Sequence, residues 1–340
     1  MGEPLEGPAG TGTLFMDPDP EAARRFFHAK KGALVDKVMP VSDAVAAFVH
    51  DGDYIASGGF GTNRISTAVL HEILRQDRRE MGFAGFSTTH AFQVLAAGNL
   101  GARRLLARVD ASYIVGLEAR GLSPHSRRVV ESGGVQVCEW SNYALAGRFK
   151  AAAMGVPFIP ARSMQGTDTF AKSAARTVQC PFTGRRFAAL PALYPDAAFI
   201  HVHESDCHGN CRIRGITAGD VDLARAAKRL VITTERLVSS REIRSAPNQT
   251  VIPSFCVDAV CEVPGGSYPG NMAGEYFSDE EHLAAWLEAE KTDESLAAFL
   301  QKYVYGVRCF EEYLALCGGS ARLRELREKE LFSREETAHG

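Results

Sequence analysis

Three closely spaced glycines are the first residues in this sequence that could take part in chemistry. Residues 51–64 read DGDYIASGGFGTNR and place Gly58, Gly59 and Gly61 between a predicted strand and a helix predicted over residues 66–75. Glycine lets another molecule approach the backbone closely, and amides at a helix start can bind an anion or a developing oxyanion. The segment is neither a dinucleotide fingerprint nor a P-loop, because Arg64 stands where the first needs glycine or alanine and no Gly-Lys-Ser/Thr follows. A ligand-binding loop and an ordinary tight turn both remain open.

Two further polar segments follow predicted strands. Residues 87–90, Ser-Thr-Thr-His, come after the apolar run 81–86, and residues 165–169 come shortly after the run 158–160. Strands that alternate with short helices indicate a parallel sheet covered on both faces, and ligands bind at the carboxyl ends of such strands. We therefore expect the three polar segments to meet at one edge of one sheet.

Two side chains near these strand ends could act as an acid or a base. His90 could be a general base or could donate a hydrogen bond to a substrate, and the alternative is a histidine that only begins a helix. Glu118 is the only carboxylate that a predicted strand end presents like a catalytic group, although a surface role or a pair with Arg120 is favoured.

Metal binding and serine-hydrolase chemistry are both disfavoured. The sequence concentrates possible metal ligands at His201, His203, Cys207, His208 and Cys211, but their spacing matches no zinc site. A strand followed by an Asp/Gly/Asn turn explains the same residues. No Gly-x-Ser-x-Gly elbow occurs in the sequence. The eight cysteines are mostly scattered, which favours free buried thiols.

The composition is that of an ordinary globular chain. Its 340 residues are 45% hydrophobic and 23% charged, with a formal net charge of −3, which gives no argument for nucleic acid or an anionic membrane as a partner. No apolar run reaches about 18 residues, and the N-terminus lacks the basic and apolar regions of a signal peptide. The sequence therefore predicts a cytoplasmic protein with reduced cysteines.

The chain is predicted to divide into three parts. Residues 1–35 form a Gly/Pro-rich N-terminal extension, partly disordered and loosely attached up to residue 20, and a helix is predicted over residues 20–38. Residues 36–320 form the main α/β domain. Residues 321–340 form a charge-dense helix and tail with a solvated face.

The segment from Asp51 to Phe60 carries a resemblance to a known family. Its Asp-Gly-Asp-Tyr-Ile-Ala-Ser-Gly-Gly-Phe run resembles the first signature of the family I CoA-transferases, Asp-Gly-x-x-apolar-Gly-Gly-Phe, and more closely the A subunits of the glutaconate type. The similarity covers about residues 38–319 and recurs in residues 164–167, 196–201, 209–210, 222–228, 242–244, 252–253, 256–260 and 263–269.

The resemblance implies a fold, a partner and a reaction. The fold is α/β, an open, mostly parallel sheet with helices on both faces. The partner is a homologous B subunit, in a heterodimer or an α2β2 heterotetramer, with the active site between the subunits. Coenzyme A esters and carboxylates are substrates, and no cofactor or metal is bound permanently. The reaction is ping-pong, through a glutamate in a Ser-Glu-Asn-Gly-type segment of the B subunit.

This chain has residues 87–90, Ser-Thr-Thr-His, in the place of that segment. We therefore predict no catalytic nucleophile in the chain, since covalent catalysis needs a positioned carboxylate. We expect it to supply a second wall of the pocket, in which Asn63 and Arg64 orient an acyl carboxylate, the arginine by a bidentate pair. The predicted substrate-binding residues are Gly58, Gly59, Phe60, Gly61, Asn63, Arg64, Ser87, Thr88, Thr89, His90, Gln165, Gly166 and Thr167.

Two other function classes remain open. Some two-subunit relatives of this kind hydrolyse ring-opened CoA thioesters or decarboxylate glutaconyl-type CoA esters, and the partner's sequence would discriminate them from transferases. The second class is a non-catalytic binding module for CoA esters or small acids, which is disfavoured as a regulator because no helix-turn-helix or basic face is present.

Overall fold

The computed structural model describes residues 7–30, 32–87, 89–114, 116–117 and 121–337. The β-strands are β1 (Tyr54–Ser57), β2 (Met81–Gly85), β3 (Leu106–Ala111), β4 (Gly116–Leu117), β5 (Gly121–Leu122), β6 (Gln136–Glu139), β7 (Phe158–Ala161), β8 (Arg176–Gln179), β9 (Arg186–Pro191), β10 (Ala197–Ser205), β11 (Cys211–Arg212), β12 (Arg229–Leu237) and β13 (Ala259–Glu262). The α-helices are α1 (Pro20–Ala29), α2 (Val41–Phe48), α3 (Thr67–Arg75), α4 (Thr89–Ala97), α5 (Pro124–Glu131), α6 (Asn142–Met154), α7 (Asp168–Ala171), α8 (Asp220–Ala226), α9 (Ser240–Ser245), α10 (Glu280–Ala289), α11 (Asp293–Leu300), α12 (Phe310–Leu316) and α13 (Gly319–Thr337). Short 3₁₀ turns occupy Pro247–Gln249 and Ser254–Cys256, and a π-helical turn occupies Gln301–Tyr305. No helix in these described ranges is long and apolar enough to cross a bilayer.

The central sheet has the strand order β13-β12-β10-β1-β2-β3-β6, and β11 pairs with β10 at its end. Every neighbouring pair along the seven-strand path is parallel, whereas β11 is antiparallel to β10. The first half of the chain builds the sheet outward from β1 on one side, and the second half builds it from β10 on the other. The predicted α/β class with a mostly parallel sheet is confirmed, and the change of direction lies at β1, where such sheets bind ligands.

Each face of the sheet packs against its own hydrophobic core. Alternate residues along one strand point to opposite faces, so Ile55 of β1 lies in one core while Tyr54 and Ala56 lie in the other. The first core includes side chains of α2, α3, α4 and the C-terminal helices, and the second includes side chains of α6 and α8. Both faces are therefore covered, which keeps the seven-strand sheet out of water.

Strands β7, β9 and β8 form a separate antiparallel sheet in that order. The expectation that residues 165–169 follow a strand of the central sheet is therefore wrong. Pro160 lies within β7 and has no amide hydrogen, so β7 suits the edge of a small sheet better than the middle of a large one. Helix α7 still lies beside the central sheet, because the amide of Glu139, the last residue of β6, donates to the Lys172 carbonyl at 3.3 Å.

The N-terminal residues 7–20 pack against the body of the protein, so the expectation of loose attachment is wrong for them. The Gly10 amide donates to the Ala175 carbonyl and the Gly12 amide to the Ser173 carbonyl, both at 2.8 Å. Only glycine fits at residue 10, because a Cβ atom there would lie 1.9 Å from the Ser173 carbonyl oxygen. The Phe15 ring also stacks against Tyr54, with ring centroids 6.3 Å apart.

Helix α1 ends at Ala29 and not at residue 38 as predicted. Lys30 has extended backbone (ψ 126°), and its ammonium group lies 2.7 Å from the Asp258 carboxylate. The chain therefore leaves the helix at Lys30, whose side chain is held by this long-range ion pair. Residues 1–6 lie outside the described residues, and the three-part division at residues 35 and 320 stays a prediction.

The charge-dense C-terminal helix α13 is partly packed and not merely solvated. Leu326 is fully buried, and Arg322 pairs with the Asp279 carboxylate through two nitrogens at 2.8 and 2.9 Å. Arg327 lies 2.6 Å from Glu275. The spacing of these residues along the helix places a packed stripe beside an exposed one.

A buried polar cluster around Asp110 joins β1, β3 and α6 beneath the central sheet. Asp110 accepts hydrogen bonds from the Tyr54 hydroxyl and from Trp140 Nε1, the latter at 2.5 Å, and Arg148 Nη1 lies 2.7 Å away. Burial raises the pKa of the Tyr54 phenol, and the Asp110 charge raises it further. The tyrosine is therefore a neutral donor, and the cluster is held by one carboxylate and one guanidinium.

We expect Asp110→Ala to lower the free energy of unfolding by about 3–5 kcal/mol, because it leaves the Arg148 charge buried without a partner. The measurement is urea unfolding followed by circular dichroism. Glu139→Ala removes a partly exposed carboxylate that lies 3.2 Å from the exposed Lys172 ammonium group and should change the value by less than about 1 kcal/mol. Equal effects of the two changes would contradict this account of the cluster.

Candidate functional site

The loop after β1 is a tight turn whose own hydrogen bonds use most of its amides. Gly59 and Gly61 have φ of +82° and +64°, and a Cβ atom on Gly59 would lie 2.5 Å from the Asn63 carbonyl. The Phe60 and Asn63 amides donate to each other's carbonyls at 3.0 and 2.9 Å. Within the described residues, the amides of Gly61 and Thr62 are the ones in this turn that donate to no protein acceptor. These two amides are therefore the groups that a bound anion could use.

Arg64 lies beneath this loop and is fully buried together with Asp220. Its Nη1 atom lies 2.6 Å from Asp220 Oδ2, and its Nη2 atom donates to the Ile216 carbonyl at 2.7 Å. Asp220 Oδ1 in turn accepts the Gly59 amide at 2.8 Å. Burial raises the pKa of the Asp220 carboxyl, and the guanidinium opposes that rise. The predicted contact of Arg64 with a substrate carboxylate stays a prediction, and the carboxylate that it meets in this structure is an internal one.

Ser87 follows β2 and is held in a left-handed conformation, with φ of +45°. Asn142 clamps it, since Asn142 Oδ1 accepts the Ser87 amide at 3.0 Å and Asn142 Nδ2 donates to Ser87 Oγ at 2.8 Å. Ser112, which follows β3, donates to the same Asn142 oxygen at 2.9 Å. Strained backbone that is fixed in this way is common at functional sites. Thr88 and Glu118 lie outside the described residues.

A narrow cleft joins the loops after β1 and β2. The residues that line it are Thr62, Thr89, His90, Gln93, Gly116, Gly121, Leu283 and Leu287. Its interior of about 10 Å³ holds about one water molecule, whereas small-molecule sites measure about 300–1,000 Å³. The cleft of the single chain therefore has no room for an acyl group.

His90 is a wall of this cleft and belongs to the first turn of α4. It is 1% exposed, its Nδ1 atom lies 3.2 Å from Gln93 Oε1, and its ring meets the edge of Trp286 at a centroid distance of 5.1 Å. The predicted base or donor role stays open, and the structure adds that aromatic packing fixes the ring.

The third predicted segment does not line the cleft. Gly166 has φ of +72°, and Thr167 begins α7 as its N-cap, accepting the Phe170 amide at 3.2 Å. Gln165 is exposed. Of the predicted residues, the structure thus brings Thr89 and His90 to the cleft, beside Thr62 of the glycine loop, and leaves residues 165–167 out of its lining.

The histidines of β10 take part in internal hydrogen bonds. His201 Nε2 lies 2.7 Å from Glu235 Oε1, and the same carboxylate accepts the Tyr276 hydroxyl and the Gly265 amide. Burial alone would raise the pKa of Glu235, but the hydrogen bonds from these groups hold it below its usual value. In the ranges that the structure covers, no three His, Cys, Asp or Glu side chains are arranged to hold a metal ion.

Sequence reasoning missed Asn142, Ser112 and Gln93. Asn142 and Ser112 each follow a strand that reaches the carboxyl edge of the sheet, so strand-end polarity was an available signal. Gln93 lies one turn after His90 on α4, and the spacing of three residues on a helix could have placed it beside the histidine.

The chain is similar in sequence to several proteins along most of its length. It is 48% identical over 328 residues to an uncharacterized protein of Archaeoglobus fulgidus, covering 96% of this chain and 72% of that one. It is 33% identical to the A subunit of glutaconate CoA-transferase from Acidaminococcus fermentans, covering 84% and 93%. It is 32% identical to the A subunit of 3-oxoadipate CoA-transferase from Pseudomonas knackmussii, covering 82% and 97%.

Solved structures agree with these similarities. The crystal structure of glutaconate coenzyme A-transferase from Acidaminococcus fermentans matches with a TM-score of 0.80 at 31% identity, covering 85% of this chain and 95% of that chain. The crystal structure of a variant of the decarboxylase AibA/AibB matches with a TM-score of 0.69 at 32% identity, covering 78% and 98%.

The resemblance that began at the glycine loop extends to a match over the central sheet. A family model described as Coenzyme A transferase matches residues 38–263, which include every strand of the central sheet from β1 to β13. This confirms the predicted relationship to the CoA-transferases and their A subunits. The chain belongs to the coenzyme A transferase family.

Proposed function

We propose that this chain is the A subunit of a two-subunit, cytoplasmic CoA-transferase that moves CoA between an acyl-CoA and a free carboxylate, in the first instance a dicarboxylate. In this proposal a glutamate of the B subunit attacks the thioester carbonyl, the C–S bond breaks, and an acyl-glutamyl anhydride and CoA thiolate form. The thiolate then attacks the glutamyl carbonyl, which releases the first carboxylate and leaves a glutamyl-CoA thioester. The acceptor carboxylate reverses these steps and leaves as the new acyl-CoA.

The observation that carries the proposal is the absence of a carboxylate from the two loops that follow β1 and β2 and reach the cleft. Residues 58–64 read GGFGTNR and residues 87–90 read STTH. The carboxylate that contacts the first segment, Asp220, is buried and paired with Arg64. These two segments therefore offer no carboxylate nucleophile, and in this proposal a second chain supplies it.

The cleft supports a contribution of this chain to binding. The Gly61 and Thr62 amides can donate to a carboxylate or an oxyanion, and Thr62 lines the cleft together with Thr89 and His90. Because this cleft alone is too small for an acyl group, the B subunit would complete the pocket. Within the proposal Arg64 supports the loop from below, while Asn63 and residues 165–167 remain candidates for contacts made in the complex.

The chain alone is expected to be inactive, and the complex with the protein encoded beside it is expected to exchange CoA. We would co-purify the pair and follow CoA exchange among acyl-CoA donors and carboxylate acceptors by mass spectrometry. Borohydride or hydroxylamine should trap a glutamyl-CoA thioester on the partner. Exchange by this chain alone, or a trapped thioester on it, would contradict the proposal.

A decarboxylase is the second candidate, favoured by the match to the AibA/AibB structure at 32% identity. In the same experiment, carbon dioxide release without CoA exchange would select this candidate. Free CoA without exchange would instead select a thioester hydrolase. A stable chain that binds CoA esters but needs no partner would support a binding module.

A further inference from the structure

Glu290 places a buried carboxylate behind the cleft, at the end of α10. It is 0% exposed. Its Oε2 atom accepts the Ser123 hydroxyl at 2.5 Å, and its Oε1 atom accepts Trp286 Nε1 at 2.9 Å. A buried carboxylate is stable only when hydrogen bonds replace its water. The two oxygens thus tie together two different parts of the structure.

The first connection reaches the hairpin β4–β5. Ser123 follows this hairpin directly and is the N-cap of α5, where its hydroxyl also accepts the Ser126 amide at 3.1 Å. Gly116 packs so closely on the hairpin base that a Cβ atom there would lie 2.5 Å from the Gly121 carbonyl and 3.2 Å from the Ser123 nitrogen. Gly116 and Gly121 both line the cleft. Ser123 is therefore packed directly against the part of the cleft wall that Gly116 and Gly121 form.

The second connection reaches His90. The Trp286 indole, oriented by its bond to Glu290, presents its ring to His90 at 5.1 Å with an interplanar angle of 83°. Trp286 is fully buried and also contacts Phe299 at 5.1 Å. An edge-to-face pair of this kind fixes the orientation of both rings. A change at Glu290 is thus transmitted through the indole to a wall of the cleft.

We propose that Glu290 is a positioning residue for the cleft, which fixes the β4–β5 hairpin through Ser123 and His90 through Trp286. The inference rests on the proposed function, in which this cleft is the chain's part of the substrate pocket. Glu290 touches no substrate in this scheme. It acts by holding two walls at a constant separation.

The charge of the Glu290 carboxylate depends on pH, so a positioning role for it predicts a pH-dependent effect of its removal. Burial raises the pKa of Glu290 to about 7, and the hydrogen bonds from Ser123 and Trp286 oppose the rise. The charged or titratable groups around it are His125 and Arg128 on α5, Asp293 on α11, His90 on α4 and His71 on α3. Ionised Glu290 accepts both hydrogen bonds with its two oxygens. In the protonated form one oxygen carries a hydrogen and becomes a donor, so it is a poorer acceptor. Glu290→Gln resembles the protonated form.

The kinetic test compares Glu290→Gln with the wild type in the two-chain complex. We expect kcat/KM to fall about 10-fold at pH 8, since a hydrogen bond to a charged group is lost, and by less than about 2-fold at pH 6, where the wild-type carboxyl is itself mostly protonated. Glu288→Gln is the matched control on the same helix, since Glu288 is exposed and pairs with Lys291. It should leave both values unchanged. A loss that is equal at the two pH values would indicate a merely structural role and would overturn the inference.

A second readout does not depend on activity. In protein with ¹³C-labelled histidine rings, the His90 signal, identified by its loss in His90→Gln, should move in Glu290→Gln and stay in place in Glu288→Gln. An unmoved signal overturns the inference. A moved signal in a complex that exchanges no CoA with any donor would support the positioning role while refuting the proposed function. If Glu290→Gln does not fold, Ser123→Ala removes the hydroxyl that Glu290 accepts and leaves both rings in place, and the same signal should move there.

Discussion

Arg64→Ala is expected to lower the free energy of unfolding by about 3–5 kcal/mol and to reduce activity towards every acyl group by the same factor. The reason is that Arg64 and Asp220 are both fully buried and 2.6 Å apart, so removal of the guanidinium leaves an uncompensated carboxylate in the core. Asp220 also accepts the Gly59 amide. The glycine loop should therefore change its position in the variant, and this change should be the same for every substrate. The measurements are urea unfolding of the chain and CoA exchange by the complex with mono- and dicarboxylate donors.

A double-mutant cycle separates this account from a substrate-binding role. Asp220→Ala alone should also destabilise, and Arg64→Ala/Asp220→Ala should be destabilised by clearly less than the sum of the two single changes. Arg127→Ala, whose partner Glu131 is exposed, is the control and should change stability by less than about 1 kcal/mol. If Arg64→Ala left the free energy of unfolding unchanged and lowered CoA exchange with dicarboxylate donors alone, the guanidinium would bind the substrate. Its pairing with Asp220 would then not be its main role.

The glycine loop illustrates what could be predicted from sequence and what could not. Residue type and order predict a tight turn after a central strand, and the structure has that turn at the point where the sheet changes direction. The partner of Arg64 could not be predicted, because Asp220 is far away in the sequence, 161 residues after Gly59 of the same loop. The burial of a charged side chain also leaves no local pattern in the sequence. An arginine beside a glycine loop therefore has two interpretations that only the tertiary structure can distinguish.

The errors in the fold also have local causes. Residues 158–160 are apolar like the central strands, and only Pro160 indicates that β7 belongs to another sheet. Residues 7–20 have the composition of a disordered segment, yet Gly10 and Gly12 allow a backbone approach that a larger residue would prevent. In both cases the outcome depends on single residues, a proline that restricts a strand to a sheet edge and glycines that allow a close backbone contact, and composition alone does not reveal it.

Glu290 and Trp286 were equally hidden from sequence analysis. Their spacing of four residues on α10 predicts only that they share one face of the helix. Their relation to the cleft depends on Ser123, which is 167 residues away from Glu290 in the chain. The part of the candidate site that comes from strand ends was thus predictable, and the part that holds those ends in position was not.

Stability is expected to fall as the pH decreases from 6.5 to about 4, because several histidines are buried in neutral form. Burial lowers the pKa of His203 and of His282 to about 4, and it also lowers the pKa of His71 and His125. In this window the histidines of the unfolded chain bind protons and those of the folded chain do not. Each such histidine therefore lowers the free energy of unfolding by up to about 1.4 kcal/mol for every pH unit of decrease. Below the folded-state pKa the loss from that histidine stops.

Two buried acids oppose this trend, so the measured change of stability with pH is the difference between the contributions of the histidines and of these acids. Burial raises the pKa of Glu290 to about 7 and raises that of Asp220, and an acid with a raised pKa in the folded state gains stability as the pH falls. We expect the four histidines with lowered pKa values to outweigh these two acids, so that urea midpoints measured from pH 7 to pH 4.5 decrease. His282→Gln should reduce the slope, because His282 is buried against Tyr313 with Nε2 at 3.1 Å from its hydroxyl. His28→Gln, at an exposed position on α1, should leave the slope unchanged, and a midpoint that is constant over this range would refute the neutral-histidine account.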